Sequence, residues 1–178
     1  MFWKNSKLLI LYSTVDGHTK YICEYIYKKL GSKKNTIVAS IEESGKLNLS
    51  EFESIVIGAS VRYGYHRKNL YKFISTNRLE LDKKNTVFFS LNLTARKSDK
   101  NTPETNPYVI KFLKKVSWEP SIKEVFAGRL DYPSLDFFNK LAILFIMFIT
   151  DGPRDTSKTY ELTDWNKVDK LINKINKF

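Results

Sequence analysis

The chain is poor in the residues that staple, ligate or span. Its 178 residues include one cysteine, Cys23, so no internal disulfide can form and no cysteine cluster is available to a metal. Two histidines, His18 and His66, are too few for a structural zinc site, and no metal is expected. A single thiol points to a reducing compartment and an expected cytoplasmic location. No apolar run reaches the ~18–20 residues that a membrane-spanning helix needs. The N-terminal run Leu8–Tyr12 is shorter than a signal-peptide core and lacks a small-residue cleavage site, so it reads as a buried strand. Acidic residues are scarce as well: 19 Asp and Glu against 30 Lys and Arg leave a net charge of +11.

The basic charge that is present is concentrated. Between Arg62 and Lys115 stand thirteen Lys or Arg and four Asp or Glu, which is +9 within fifty-four residues. Such a face suits nucleic acid, anionic lipid headgroups or an acidic small molecule. A solvated lysine-rich surface accounts for it equally well. No nucleic-acid motif accompanies the charge, and nucleic acid is not expected as a partner. Length and apolar content suffice for one domain, spanning 1–178, with a real core.

Short apolar runs alternate with helical periods. Strands are expected at 7–12, 35–40, 54–60, 86–92 and 124–130, mostly as continuous apolar runs of the kind buried on both faces of a parallel sheet. Helices are expected at 18–30, where Ile22, Ile26 and Leu30 recur every four residues, at 69–78, at 106–117, and at 164–176 with Thr163 as N-cap. This alternation means an α/β doubly wound sheet. Residues 129–160 delay the closing helix, and so long a connection in a compact domain is usually functional.

The segment LYSTVDGHTKYI (11–22) joins the first strand to the first helix. A helix N-terminus offers unpaired N–H groups and the positive end of a dipole, which together hold a phosphate. Hydroxyls of Ser13, Thr14 and Thr19 can add hydrogen bonds, and Gly17 permits close approach or a positive φ. The loop is neither the G-x-G-x-x-G fingerprint nor a G-x-x-x-x-G-K loop. A capped helix with a turn glycine is the alternative. The position after the first strand of an open sheet favours a ligand. Asp16 is at odds with a bound anion; its carboxylate is expected to face away and accept local backbone hydrogen bonds.

This loop resembles the FMN-phosphate loop of flavodoxins. GASVRYGYHRKN (58–69) and SLNLTARKSDKNTPETNPY (90–108), with YP at 132–133 and LTDW at 162–165, resemble the menaquinone-dependent protoporphyrinogen IX dehydrogenases over about residues 7–175. The resemblance implies a flavodoxin-like open five-stranded parallel sheet of order 2-1-3-4-5, helices on both faces and a helical insertion after strand five. It implies FMN as cofactor, protoporphyrinogen IX as substrate, and menaquinone or a related quinone as acceptor. It further implies a peripheral protein in contact with the cytoplasmic face of the cell membrane. A homo-oligomer stays open, as does the alternative of a long-chain flavodoxin acting as an electron-transfer carrier.

Carried onto this chain, the resemblance puts Ser13, Thr14, Val15, Asp16, Gly17, His18 and Thr19 at the FMN phosphate. It puts Ser60, Val61, Arg62, Tyr63 and Gly64, with Ser90, Leu91, Asn92, Leu93, Thr94, Ala95 and Arg96, around the flavin ring. Tyr63 or Tyr65 could stack on that ring. Arg62 and His66 are the catalytic candidates, with a solvent-exposed polar role as the alternative for His66. Arg96, Lys97 and Lys100 could meet the carboxylates of the substrate. Residues 134–149 are expected to form one helix, capped by Ser134 and ended near Gly152, with no charge between Leu141 and Ile149. Leu141, Leu144, Phe145 and Phe148 are its expected face toward substrate, quinone or membrane. Packing on its own domain or at a dimer interface is the alternative.

Overall fold

The computed structural model describes residues 7–31 and 35–178. Five parallel strands form the body of the sheet: β1 (Lys7–Ser13), β2 (Asn35–Ser40), β3 (Ser54–Arg62), β5 (Asn85–Leu91) and β6 (Ile122–Phe126). Their order is β2-β1-β3-β5-β6, which is 2-1-3-4-5 when only these five are counted. A sixth, two-residue strand, β4 (Tyr65–His66), was not foreseen and pairs antiparallel with the end of β3.

The apolar runs explain the layering. Successive strand side chains point to opposite faces. Leu9, Leu11, Ile55, Ile57 and Phe88 therefore pack against α2 (Lys68–Thr76), α3 (Arg78–Leu81) and α4 (Pro107–Val116). Leu8, Ile10, Val56, Val87 and Phe89 pack on the other side, against α1 (His18–Leu30) and α6 (Trp165–Ile175). Both helix layers bury one stripe each, such as Ile22, Ile26 and Leu30 of α1.

Two boundaries differ from expectation. The run 124–130 is not one strand: β6 stops at Phe126, and Gly128 adopts a φ of 81°. That left-handed turn redirects the chain into β7 (Arg129–Asp131), which pairs antiparallel with β8 (Thr159–Glu161). Helix α6 is capped by Asp164, whose side chain accepts from the Lys167 N–H, and not by Thr163.

The β7–β8 ladder forms the base of the insertion. Above it runs α5 (Phe137–Ile149). Its cap is Asp136, whose carboxylate accepts the Asn139 N–H at 3.0 Å; Ser134 instead donates to the Asp131 carbonyl within a short 3-10 turn. Among the described residues no helix is long and apolar enough to cross a membrane.

Candidate functional site

Because β1, β3, β5 and β6 are parallel, their carboxyl ends share one edge, and the loops that leave them meet there. β2 and β3 lie on opposite sides of β1, so the chain reverses direction across the sheet at this point, where open α/β sheets open a crevice. A cavity of about 320 Å3 occupies the place, partly covered by the insertion.

One end of the cavity is polar. Thr14, Asp16, His18 and Thr19 line it from the β1–α1 loop. Gly17, with a φ of 82°, is the N-cap of α1, and no side chain caps the helix. The Thr14 hydroxyl instead accepts the Gly17 N–H at 3.0 Å, which curls the loop around the helix start. Thr19 and Ser60 line the cavity, and their buried hydroxyls have no hydrogen-bond partner among the described residues. A buried polar atom without a partner is costly, and a ligand oxygen would relieve it. An uncapped helix start with a free hydroxyl suits a phosphate.

The other end is apolar and belongs to the insertion and its base: Leu130, Leu135, Ala142, Ile143 and Ile146. Between the ends, Ser60 to Gly64 form one wall and Leu91 to Thr94 the opposite one. A phosphate at one end, a polar chain and a flat aromatic ring between two loops therefore match this donor set and shape, and FMN fits the residues present.

The charges at the cavity are paired. Arg62 Nη1 lies 2.6 Å from Asp16 Oδ1, so the carboxylate lines the cavity and pairs with a cation, where the sequence predicts one that faces away onto local backbone. This pairing would offset part of the repulsion between Asp16 and a bound phosphate. The guanidinium also sits 5.4 Å from the centre of the Tyr63 ring. Arg129 pairs with Asp131 at 3.2 Å. His18 Nε2 is 2.9 Å from Thr163 Oγ1 and 3.6 Å from Glu161 Oε1. Burial lowers the His18 pKa, Glu161 opposes the change and Arg129 adds to it.

Several expected site residues lie elsewhere. Ser13 is buried under the loop, its hydroxyl donating to Asn69. Val15 points out, 47% exposed, and does not line the cavity. Ser90 and Ala95 are buried in the wall behind the cavity. His66 is not solvent-exposed: it is buried against Phe88 and Phe112, with Nε2 2.9 Å from Ser90 Oγ. Burial pushes its pKa down to about 3, and it does not line the cavity. Tyr65 lies outside the cavity under the Lys111 ammonium, 4.0 Å from the ring centre, whereas Tyr63 lines it.

Arg96 is a tie and not a ligand for carboxylates. Its guanidinium donates to the Leu93 carbonyl at 2.9 Å and to the Thr150 carbonyl at 3.1 Å, clamping the end of α5. Neither Lys97 nor Lys100 lines the cavity. The face of α5 toward the cavity is also not Leu141, Leu144, Phe145 and Phe148. Leu144 packs toward Leu130, Tyr132 and Met147, and the other three are exposed. Asn139, Ala142, Ile143 and Ile146 face the cavity instead.

Residues missed from sequence include Tyr108 and the run Ala127–Asp131. The run was within reach, since it follows the fifth parallel strand, where such sheets bind ligands. Which stripe of α5 turns inward had no sequence signal, because nearly every residue of the helix is apolar.

A family model described as Flavodoxin domain matches residues 9–157. A Leishmania major protein called protoporphyrinogen IX dehydrogenase (quinone) is 42% identical over 167 residues, covering 93% of this chain and 72% of its own. A protein of the same name from Escherichia coli (strain K12) is 37% identical over 165 residues, covering 91% of this chain and 90% of its own. A solved putative flavoprotein from Bacteroides eggerthii aligns with a TM-score of 0.48 at 14% identity, over 81% of this chain and 99% of its own.

Proposed function

The chain belongs to the flavodoxin domain family, and from that membership we propose that it binds FMN and oxidises protoporphyrinogen IX to protoporphyrin IX, with menaquinone or a related quinone as electron acceptor. The observation that carries this reading is 37–42% identity, over 91–93% of the chain, to proteins named for that quinone-dependent reaction.

Bound FMN would supply the two-electron redox chemistry. The chain supplies placement and electrostatics. The first-turn N–H groups of α1 and the Thr19 hydroxyl would hold the phosphate, and Ser60 would satisfy its buried hydroxyl on the cofactor. The 60–64 and 91–94 walls would bracket the ring, with Tyr63 at its outer edge. Arg62 would bring positive charge to the ring, moderated by Asp16. Arg129, which lines the cavity as Arg96, Lys97 and Lys100 do not, would meet a substrate carboxylate. The apolar wall of α5 would exclude water and receive a macrocycle or a quinone ring.

The same reading makes the chain a peripheral protein on the cytoplasmic face of the cell membrane, where a lipid-soluble quinone is available. The outward stripe of α5 supports this, with Leu141, Phe145 and Phe148 all more than half exposed.

The test is an anaerobic assay of FMN-loaded protein with protoporphyrinogen IX and a soluble menaquinone analogue, followed by porphyrin fluorescence. Quinone-dependent growth above the rate without enzyme is expected. A flat trace from flavin-loaded protein would reject the proposed reaction.

A further inference from the structure

The cavity's volume, about 320 Å3, is near the lower limit of sites that hold a single small molecule. With a cofactor of FMN's size in place, a second ligand with a ring system of tetrapyrrole or quinone size would need more room beneath α5 than this volume provides, and movement of the cover would supply it.

The helix is held unequally along its length. Its C-terminal half is anchored: Met147 is fully buried, Arg96 clamps Thr150, and the Gly152 N–H returns to the Met147 carbonyl at 2.8 Å. The Tyr132 hydroxyl fastens the segment that follows the helix by donating to the Pro153 carbonyl at 2.8 Å. The first turn has no such core. Phe137 and Phe138 are 72% and 80% exposed. Among the described residues, its side-chain hydrogen bond to another element is that from the Tyr63 hydroxyl to Asn139 Oδ1, at 2.6 Å.

Tyr63 is itself unusual. It and Gly64 form the two-residue turn between β3 and β4, both with positive φ, 51° and 79°. That turn favours Asn or Asp followed by Gly; a bulky aromatic at its first position is strained. The ring is 73% exposed, so packing does not hold it there. The turn instead delivers a phenol to the rim of the cavity, opposite Asn139.

We infer that the Tyr63–Asn139 contact is a size-selective gate. When it is closed, the cavity takes a ligand of cofactor size. When it parts, the first turns of α5 swing on the anchored C-terminal half and open the Leu135 and Ile143 wall to a flat apolar ligand. The identity of that ligand rests on the function proposed above; the motion of the helix does not.

The first test is amide hydrogen exchange on the Tyr63→Phe variant, which removes only the hydroxyl. Exchange over 140–143 rises about fivefold, the factor that one hydrogen bond supplies, while 146–149 is unchanged. No rise, or an equal rise along the whole helix, overturns the gate. The second test joins cysteines placed at 63 and 139 with a short bismaleimide. Cys23 does not compete, because it is buried and burial keeps its thiol protonated. Joining lowers protoporphyrinogen turnover at least tenfold relative to the same variant before joining, at equal FMN content in the two forms. Equal turnover in the two forms overturns the gate. If the wild-type chain itself does not turn over protoporphyrinogen, the functional reading fails, and the exchange result still decides the gate.

Discussion

Gly58 stands opposite Phe89 in the β3–β5 register, and the phenyl ring occupies the space a side chain would need. A Cβ at 58 would come within 2.6 Å of Phe89 Cε2 and 2.9 Å of Cε1. Phe89 is fully buried between α1 and α6 and has nowhere to retreat. Gly58→Ala is therefore expected to destabilise the fold by about 1–3 kcal/mol through overpacking. Urea unfolding would show it as a lower midpoint at an unchanged slope; an unchanged midpoint would mean that the ring repacks freely. At this scale the sequence was a partial guide. It put Arg62 and Asp16 in two separate motifs, both meant for the cofactor, but their ion pair across forty-six positions required the sheet to bring β1 and β3 side by side. His66 was misread for a similar reason: its neighbours in sequence are polar, and its neighbours in space are Phe88 and Phe112.

Helix α5 is the element whose composition says most and whose orientation says least. Its run from Leu141 to Ile149 carries no charge, so no polar face marks which side is outside. The structure sorts it into three stripes. Asn139, Ala142, Ile143 and Ile146 face the cavity, Leu144 and Met147 face the β7–β8 base, and Phe138, Leu141, Phe145 and Phe148 face out. An outward stripe of that kind is unfavourable in water and stable in the interfacial zone of a bilayer. Leu141→Asp with Phe145→Asp is expected to move the protein from the pellet to the supernatant when it is sedimented with liposomes. The pair leaves Leu144 and Met147 in place, so the fold is retained. Equal sedimentation of a variant with native circular dichroism would refute membrane contact through this stripe.

The protonation of one buried side chain is felt by the whole molecule. His66 is pushed down to about 3 by burial, from an ordinary 6.5. Above pH 6.5 it is neutral whether folded or unfolded and adds no pH dependence. As the pH falls below 6.5, the unfolded chain takes up a proton that the native one refuses, and stability is lost at about 1.4 kcal/mol per pH unit, levelling only below about 3. His66→Gln keeps a polar partner for Ser90 and removes this slope. Urea midpoints measured between pH 6.5 and 4.5 should fall more steeply for the wild-type chain than for the variant. Parallel profiles would show that acid lability has another source.

The positions of the strands and helices and of the hydroxyl-rich loop at the first helix start were set by patterns that a sequence carries locally: continuous apolar runs, four-residue periods, and hydroxyls with a glycine; the strand order came with the family resemblance and not from those patterns. Those patterns depend on near neighbours, so the linear order of residues suffices to express them. What the tertiary structure decided was pairing across distance. It turned the chain at Gly128 to build the β7–β8 base, placed Arg62 against Asp16, buried His66, turned Asn139 and Ile146 inward, and set the phenol of Tyr63 against Asn139. Each of these follows from which surfaces the packed sheet leaves available, and no residue on its own records that.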